Sequence, residues 1–166
     1  LMGGPAAPAF LAPFSSGQLW RLVTPAFLHD GVIHLIGNVV FLFWFGTRIE
    51  PLEGTGRFLA LVLAAAGLGN ATQFLWAGAP FFGGLSGVVY ALLGFVIAVE
   101  RTSERRYGSH PGLHGLMLVF LVAATTGMFE PFGLHVGNGA HWGGFVTGLL
   151  AGLLRGRFLG REAAPS

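Results

Sequence analysis

The chain contains no cysteine, no lysine and only one aspartate. Without cysteine there is neither a disulfide framework nor a thiol nucleophile. A lone Asp30 cannot supply the two carboxylates that an aspartyl protease needs. No histidine is followed by glutamate, so the H-E-x-x-H zinc helix is missing too. His110 and His114 are four apart, but Pro111 and Gly112 between them oppose the helix that would align two metal ligands. Charge is equally scarce: 10% of the 166 residues are charged against 53% hydrophobic, with mean hydropathy +0.69. These figures describe a polytopic membrane protein rather than a water-soluble globule. The net charge of +2 and pI near 9.9 are uninformative as sums; the placement of the nine arginines matters more.

Five apolar stretches stand out, roughly Val32 to Phe45, Phe58 to Ala77, Ser86 to Val99, Leu113 to Gly127 and His141 to Leu154. Since a full crossing takes about 20 residues, the shorter ones must begin or end below the membrane surface or borrow from their flanks. The opening Leu1-Met2-Gly3-Gly4-Pro5 is apolar but proline-broken and lacks a basic flank, so it reads as neither span nor signal peptide. Residues 1–31 are expected to form an external loop region, 32–157 a transmembrane core and 158–166 a cytoplasmic tail. No internal repeat divides the core, and the fold class is all-α, a polytopic membrane helical bundle.

Eight of the nine arginines fall on alternate connections: Arg48 and Arg57, then Arg101, Arg105 and Arg106, then Arg155, Arg157 and Arg161. By the positive-inside rule those connections and the C-terminus face the cytoplasm. The N-terminal segment, with Arg21, then lies outside. His29, His34, Asn38, Ser86, His135, Asn138 and His141 all fall at or near the extracytoplasmic ends of spans. Polar residues in hydrocarbon are costly and point to function. Their confinement to one side argues against transport, which needs a polar path across the bilayer.

Ser86 heads one apolar segment and His141 another, and a serine oxygen becomes nucleophilic when an imidazole takes its proton. Ala140, Gly144, Gly148 and Gly152 recur every four residues, a small-residue stripe that lets helix backbones approach closely in lipid. Gly87 and Ala91 offer a comparable face after Ser86. Contact between the two helices would bring Ser86 to His141. With Asp30 the one aspartate and the acids at 50, 53, 100, 104 and 162 on or near the cytoplasmic side, a dyad is expected rather than a triad, and Tyr90, one turn after Ser86, is placed to hold the imidazole by stacking. His34 and Asn38 share a helix face and, with the Ser86 amide at a helix start, are candidate oxyanion donors. Gly83, Gly84 and Gly87 free the backbone around the serine, although Val88 departs from the G-x-S-x-G elbow.

From about Leu11 to Leu154 the chain strongly resembles the bacterial rhomboid family of intramembrane serine proteases. The matching stretches are Trp20-Arg21; His29 with His34 and Asn38; Gly46-x3-Glu50-x3-Gly54; Gly83-Gly84-Leu85-Ser86-Gly87-Val88-Val89-Tyr90; and Asn138-Gly139-Ala140-His141 with Gly144 and Gly148. The resemblance implies Ser86 as nucleophile and His141 as general base, with Tyr90 packed on the imidazole and His34, Asn38 and the Ser86 amide binding the oxyanion. It implies serine-type endopeptidase activity on transmembrane segments of other proteins, in a bacterial inner membrane, from a water-filled cavity opening outward. The segment 127–140 would act as a cap and the span before it as a lateral gate, with His135 a polar surface residue. No cofactor, metal or nucleic acid is implied; the partners are substrate helices and the lipid bilayer. The family core starts with a helix ahead of the Trp20-Arg21 loop, so five spans of a six-helix core are expected here, either as a fragment or as a working five-span protein. Glu50 is expected to pair with Arg48 or Arg57 as a structural group. The competing expectation is a rhomboid-like protein that binds membrane helices without cutting them, or an inactive fragment, although such proteins usually lose the serine or histidine that this chain keeps.

Overall fold

A computed structural model describes residues 17–29, 31–77, 84–132 and 136–162. Among them run five α-helices and no strand: α1 (Val32–Glu53), α2 (Thr55–Ala77), α3 (Ser86–Thr102), α4 (Pro111–Thr125) and α5 (Asn138–Glu162). Short 3-10 turns at Leu19–Leu22 and Thr24–Phe27 structure part of the N-terminal loop region, and another at Glu130–Phe132 follows α4. Residues 1–16 and 163–166, Asp30, Gly83 and His135 lie outside the described residues.

The first and last helices run well past their apolar stretches. The first continues past Phe45 to Glu53, and the last starts at Asn138 and runs beyond Leu154 to Glu162, so residues 158–162 of the expected tail are helical. The reason is that arginine and glutamate are good helix formers and their stems lie along apolar surface while their heads reach water, so charge at the interface does not end a helix. Pro51 sits in the last turn of α1, which stops at Gly54, where φ is +84° and the amide donates to the Glu50 carbonyl at 2.8 Å. His110 caps α4 by accepting from the Gly112 amide at 3.0 Å, with Pro111 at the first helical position. Proline there opens a helix instead of opposing one, and His114 on its first turn bonds Ser109 at 2.6 Å.

α3 is apolar on every side and buried on every side, with Leu92, Leu93, Val96 and Val99 fully enclosed by α1, α2 and α5. The long helices α1 and α2 turn Ile36, Val40, Phe43, Leu59, Leu63 and Leu68 outward, and each is long and apolar enough to cross a membrane. Asn38, Asn70, Gln73 and His141 are buried instead. Apolar groups outside and polar groups inside suit a lipid solvent.

The α3–α5 contact depends on small residues. A Cβ on Gly144 would overlap the Gly87 carbonyl and one on Gly148 the Ala91 carbonyl, while one on Gly152 would stand 2.5 Å from the Phe95 oxygen. A second small face of α5, unremarked from the sequence, meets α2: a Cβ on Gly139 would lie 2.6 Å from Gln73 Cα, and one on Gly143 2.5 Å from Thr72 Oγ1. α5 is thus wedged between α2 and α3 at near-backbone distance.

At the other end of the bundle the structure corrects the expected pairing of Glu50. Its carboxylate accepts from Thr55 Oγ1 at 2.8 Å, Arg48 donates to the Trp44 carbonyl and stacks on the Trp44 ring, and Arg57 donates to the Glu53 carbonyl. The paired acid is Glu53, whose side chain is 1% exposed. Its carboxylate accepts from Arg105 Nη1 at 2.8 Å, Tyr107 Oη at 2.7 Å and Arg155 Nε at 2.6 Å. One carboxylate therefore ties together the end of α1, the connection before α4 and the end of α5. Burial, followed by the hydrogen bond to Glu53, holds the Tyr107 phenol well above its ordinary pKa.

Candidate active site

Ser86 is the first residue of α3, and the turn before it needs glycine. Gly84 has φ +112°, and a Cβ there would stand 2.7 Å from the His34 ring and 3.4 Å from Asn38 Nδ2. His34 and Asn38 on α1 therefore face the turn that delivers the serine. Asn38 is 6% exposed and its Nδ2 donor is buried with no hydrogen-bond partner. A buried, unanswered amide donor is costly, and here it sits where an acceptor would be welcome. The amides of the first turn of α3, Ser86 among them, have no carbonyl four residues back within the helix.

His141 comes from the first turn of α5. That turn is secured by Asn138 Nδ2 donating to the Ala124 carbonyl at 3.0 Å and by the Ala140 amide donating to Gln73 Oε1 at 3.0 Å. Through the small-residue contact of α5 with α3, His141 Nε2 reaches Ser86 Oγ at 2.8 Å. The Tyr90 ring lies on the imidazole, centroids 4.7 Å apart at 44°, and its hydroxyl donates to the Met117 carbonyl at 3.3 Å. His141 is 5% exposed, and its Nδ1 has no hydrogen-bond partner.

Ser86, His141 and Tyr90 are thus brought into contact, with Gly144 and Gly148 making the approach possible and His34 and Asn38 beside Gly84. Gly83 is not among the described residues. Gln73 was not picked out from the sequence, though a glutamine in the apolar run from Phe58 to Ala77 was itself a signal. No group of three or more histidine, aspartate or glutamate side chains that could hold a metal occurs among the described residues.

A helical membrane bundle whose central helix presents a serine to a buried histidine defines the class. The rhomboid domain matches residues 16–158, and the chain belongs to the rhomboid family. Among its relatives is the rhomboid protease GlpG of Photorhabdus laumondii, 39% identical over 137 residues, covering 82% of this chain and 47% of the relative. The rhomboid protease GlpG of Yersinia pestis is 38% identical over 155 residues, 90% of this chain and 54% of its own length, and that of Yersinia pseudotuberculosis gives the same figures. The chain spans about half the length of these relatives.

Proposed function

We propose that the chain is an intramembrane serine endopeptidase, or the catalytic core of one, cleaving transmembrane segments of other membrane proteins through a Ser86–His141 dyad. The observation that carries this reading is the 2.8 Å contact between His141 Nε2 and Ser86 Oγ within a buried, membrane-embedded bundle. The kinship with proteins named rhomboid proteases supports it.

In this mechanism neutral His141 accepts the Ser86 proton at Nε2 as Oγ attacks a peptide carbonyl of the substrate. The tetrahedral oxyanion is bound by the Ser86 amide, Asn38 Nδ2 and the His34 ring; the unpartnered state of the Asn38 donor supports its share of that role. As the intermediate collapses, protonated His141 gives its proton to the leaving amine and an ester on Ser86 remains. Water, deprotonated by His141, then hydrolyses the ester and frees the serine. Tyr90 keeps the imidazole from rotating, a task that a carboxylate performs in soluble triads.

The arginine distribution supports a cytoplasmic C-terminus and a site opening on the extracytoplasmic side of a bacterial inner membrane. Residues 32–157 form the transmembrane core in this reading, preceded by an external loop region and followed by a cytoplasmic end.

The test is cleavage of a fluorogenic transmembrane substrate by the purified chain in liposomes, beside Ser86→Ala, together with labelling by a fluorophosphonate. Cleavage and labelling lost in the variant support the protease. Turnover unchanged in Ser86→Ala sinks the mechanism, and a wild-type chain that binds the substrate but neither cuts nor labels favours a helix-binding protein.

A further inference from the structure

His29 has no part in the dyad or among the proposed oxyanion donors, yet it stands at the point where the external loop meets the serine turn. It is half-buried, two residues after the end of the Thr24–Phe27 turn. Its Nε2 accepts a hydrogen bond from the Leu85 amide at 3.4 Å, and its Nδ1 faces the Phe27 carbonyl at 3.2 Å. These contacts define one tautomer: a proton on Nδ1 donating to Phe27, and a bare Nε2 accepting from Leu85. The edge of the same ring lies against His34, centroids 5.1 Å apart at 70°.

The loop grips the turn at a second point, where the Gly84 amide donates to the Pro25 carbonyl at 3.3 Å. Two consecutive amides immediately before Ser86 are therefore held by the external loop. The loop is itself anchored, with Ala26 2% exposed and Asn70 Nδ2 of α2 donating to the Leu22 carbonyl at 2.7 Å. Glycine at position 84, with φ +112°, gives the turn freedom that these bonds remove.

We propose that His29 is a positioning residue for the Ser86 site: by holding the Leu85 amide with Nε2 and bracing the His34 ring, it fixes the direction of the Ser86 amide and of its oxyanion partner. This rests on the protease reading above. A backbone donor displaced by a fraction of an ångström stabilises a transition state poorly while substrate binding is little altered. The loss therefore belongs in kcat rather than KM.

The experiment compares the wild-type chain with His29→Phe, which keeps a ring but no acceptor, His29→Gln, whose amide oxygen can accept from Leu85, and Ser86→Ala. Kinetics on the transmembrane substrate, the rate of fluorophosphonate labelling and the thermal midpoint are read for each. His29→Phe is expected to lower kcat by about 10-fold to 100-fold with KM within about twofold, and to slow labelling in parallel. His29→Gln is expected to recover most of that loss. Wild-type kcat in His29→Phe overturns the proposal, as does an equal loss in both variants that follows only their thermal midpoints. Should His29→Phe fail to fold, ¹⁵N spectra of histidine-labelled wild-type chain decide: an unprotonated, hydrogen-bonded Nε2 on His29 supports the role, and a proton there overturns it. A wild-type chain that neither cleaves nor labels would remove the protease reading and this role with it. A labelled wild type beside an unimpaired His29→Phe removes this role alone.

Discussion

His141 Nε2 meets Ser86 Oγ at 2.8 Å, while the Nδ1 of the same ring has no hydrogen-bond partner. In a triad that second nitrogen is tethered to a carboxylate. Here the tilted Tyr90 ring lies 4.7 Å away, and in the proposed mechanism it is the restraint. Tyr90→Phe keeps the ring and loses only the bond to the Met117 carbonyl, so turnover is expected to stay within about threefold of wild type. Tyr90→Ala frees the imidazole to rotate and is expected to cost roughly 10-fold to 100-fold in kcat. Paired kinetics of the two variants check this; equal losses would assign the effect to the hydroxyl instead.

The same contact depends on helices that touch at backbone distance. A side chain on Gly148 would collide with the Ala91 carbonyl, whereas one on Gly67 of α2 would meet nothing within 4 Å. Gly148→Val is therefore expected to destabilise by about 3 kcal/mol or more and to abolish labelling of Ser86 by forcing α5 away from α3. Gly67→Ala is expected to be neutral, or stabilising by up to about 1 kcal/mol, because alanine is the better helix former. Thermal unfolding in detergent, read with fluorophosphonate labelling, separates the two.

Asn38 carries a buried donor with no partner. If that donor serves the oxyanion, Asn38→Ala should lower kcat by about 10-fold to 1000-fold with KM nearly unchanged. It should not lower the thermal midpoint, because removing an unsatisfied buried donor relieves a desolvation cost. A variant that is less stable but fully active would reassign Asn38 to packing.

Much of this was legible in the sequence, because a serine and a histidine at the heads of apolar segments, and glycine every four residues, are conspicuous against a background of hydrocarbon side chains. The four-residue spacing identified the face of α5 that meets α3. The Gly139–Gly143 face against α2 was not legible, since neither glycine belongs to that stripe. The helix ends of α1 and α5 lie beyond the apolar stretches for one reason: charge marks the membrane interface, not the end of the hydrogen-bond ladder. The acidic anchor was misplaced by three residues. Gly46-x3-Glu50-x3-Gly54 drew attention to Glu50, but which carboxylate turns inward is decided by the rotation of the last turn of α1 against α5 and the Tyr107 connection. His29 stood among the polar residues with no assigned partner, because its acceptor role depends on a loop folding back onto the Leu85 amide.

Arg105 and Arg155 converge on the Glu53 carboxylate, whose side chain is 1% exposed. Glu53→Ala would leave Arg155, 15% exposed, facing a dry gap, and would remove the acceptor of Tyr107 as well. Breaking one side of a buried pair costs about 3–5 kcal/mol, and because Arg105 is 27% exposed and can turn to water the loss is expected near the lower figure. Glu53→Gln keeps the acceptor oxygen and should lose less. Denaturant unfolding of the three proteins measures the series, and a Glu53→Ala protein as stable as wild type would show that the cluster contributes nothing net.

Tyr107 gives that cluster a sensitivity to alkali. Burial and the hydrogen bond to Glu53 hold its phenol above the ordinary value, so the folded chain keeps the proton after the unfolded chain has lost it. A raised folded pKa contributes stability that is fully present below the unfolded pKa of about 10 and is lost as pH climbs beyond it. Above pH ~10 the unfolded state binds fewer protons than the native state, and stability must fall with rising pH. The thermal midpoint of the wild-type chain is therefore expected to be flat with respect to Tyr107 between about pH 7 and 9 and to decline above about pH 10. Tyr107→Phe removes the titrating group: it should start lower at neutral pH, by about 2 kcal/mol for the lost hydrogen bond to a carboxylate, and decline less steeply in alkali. Thermal unfolding of both proteins from pH 7 to 11 tests the slope, and parallel curves would show that the alkaline loss arises elsewhere.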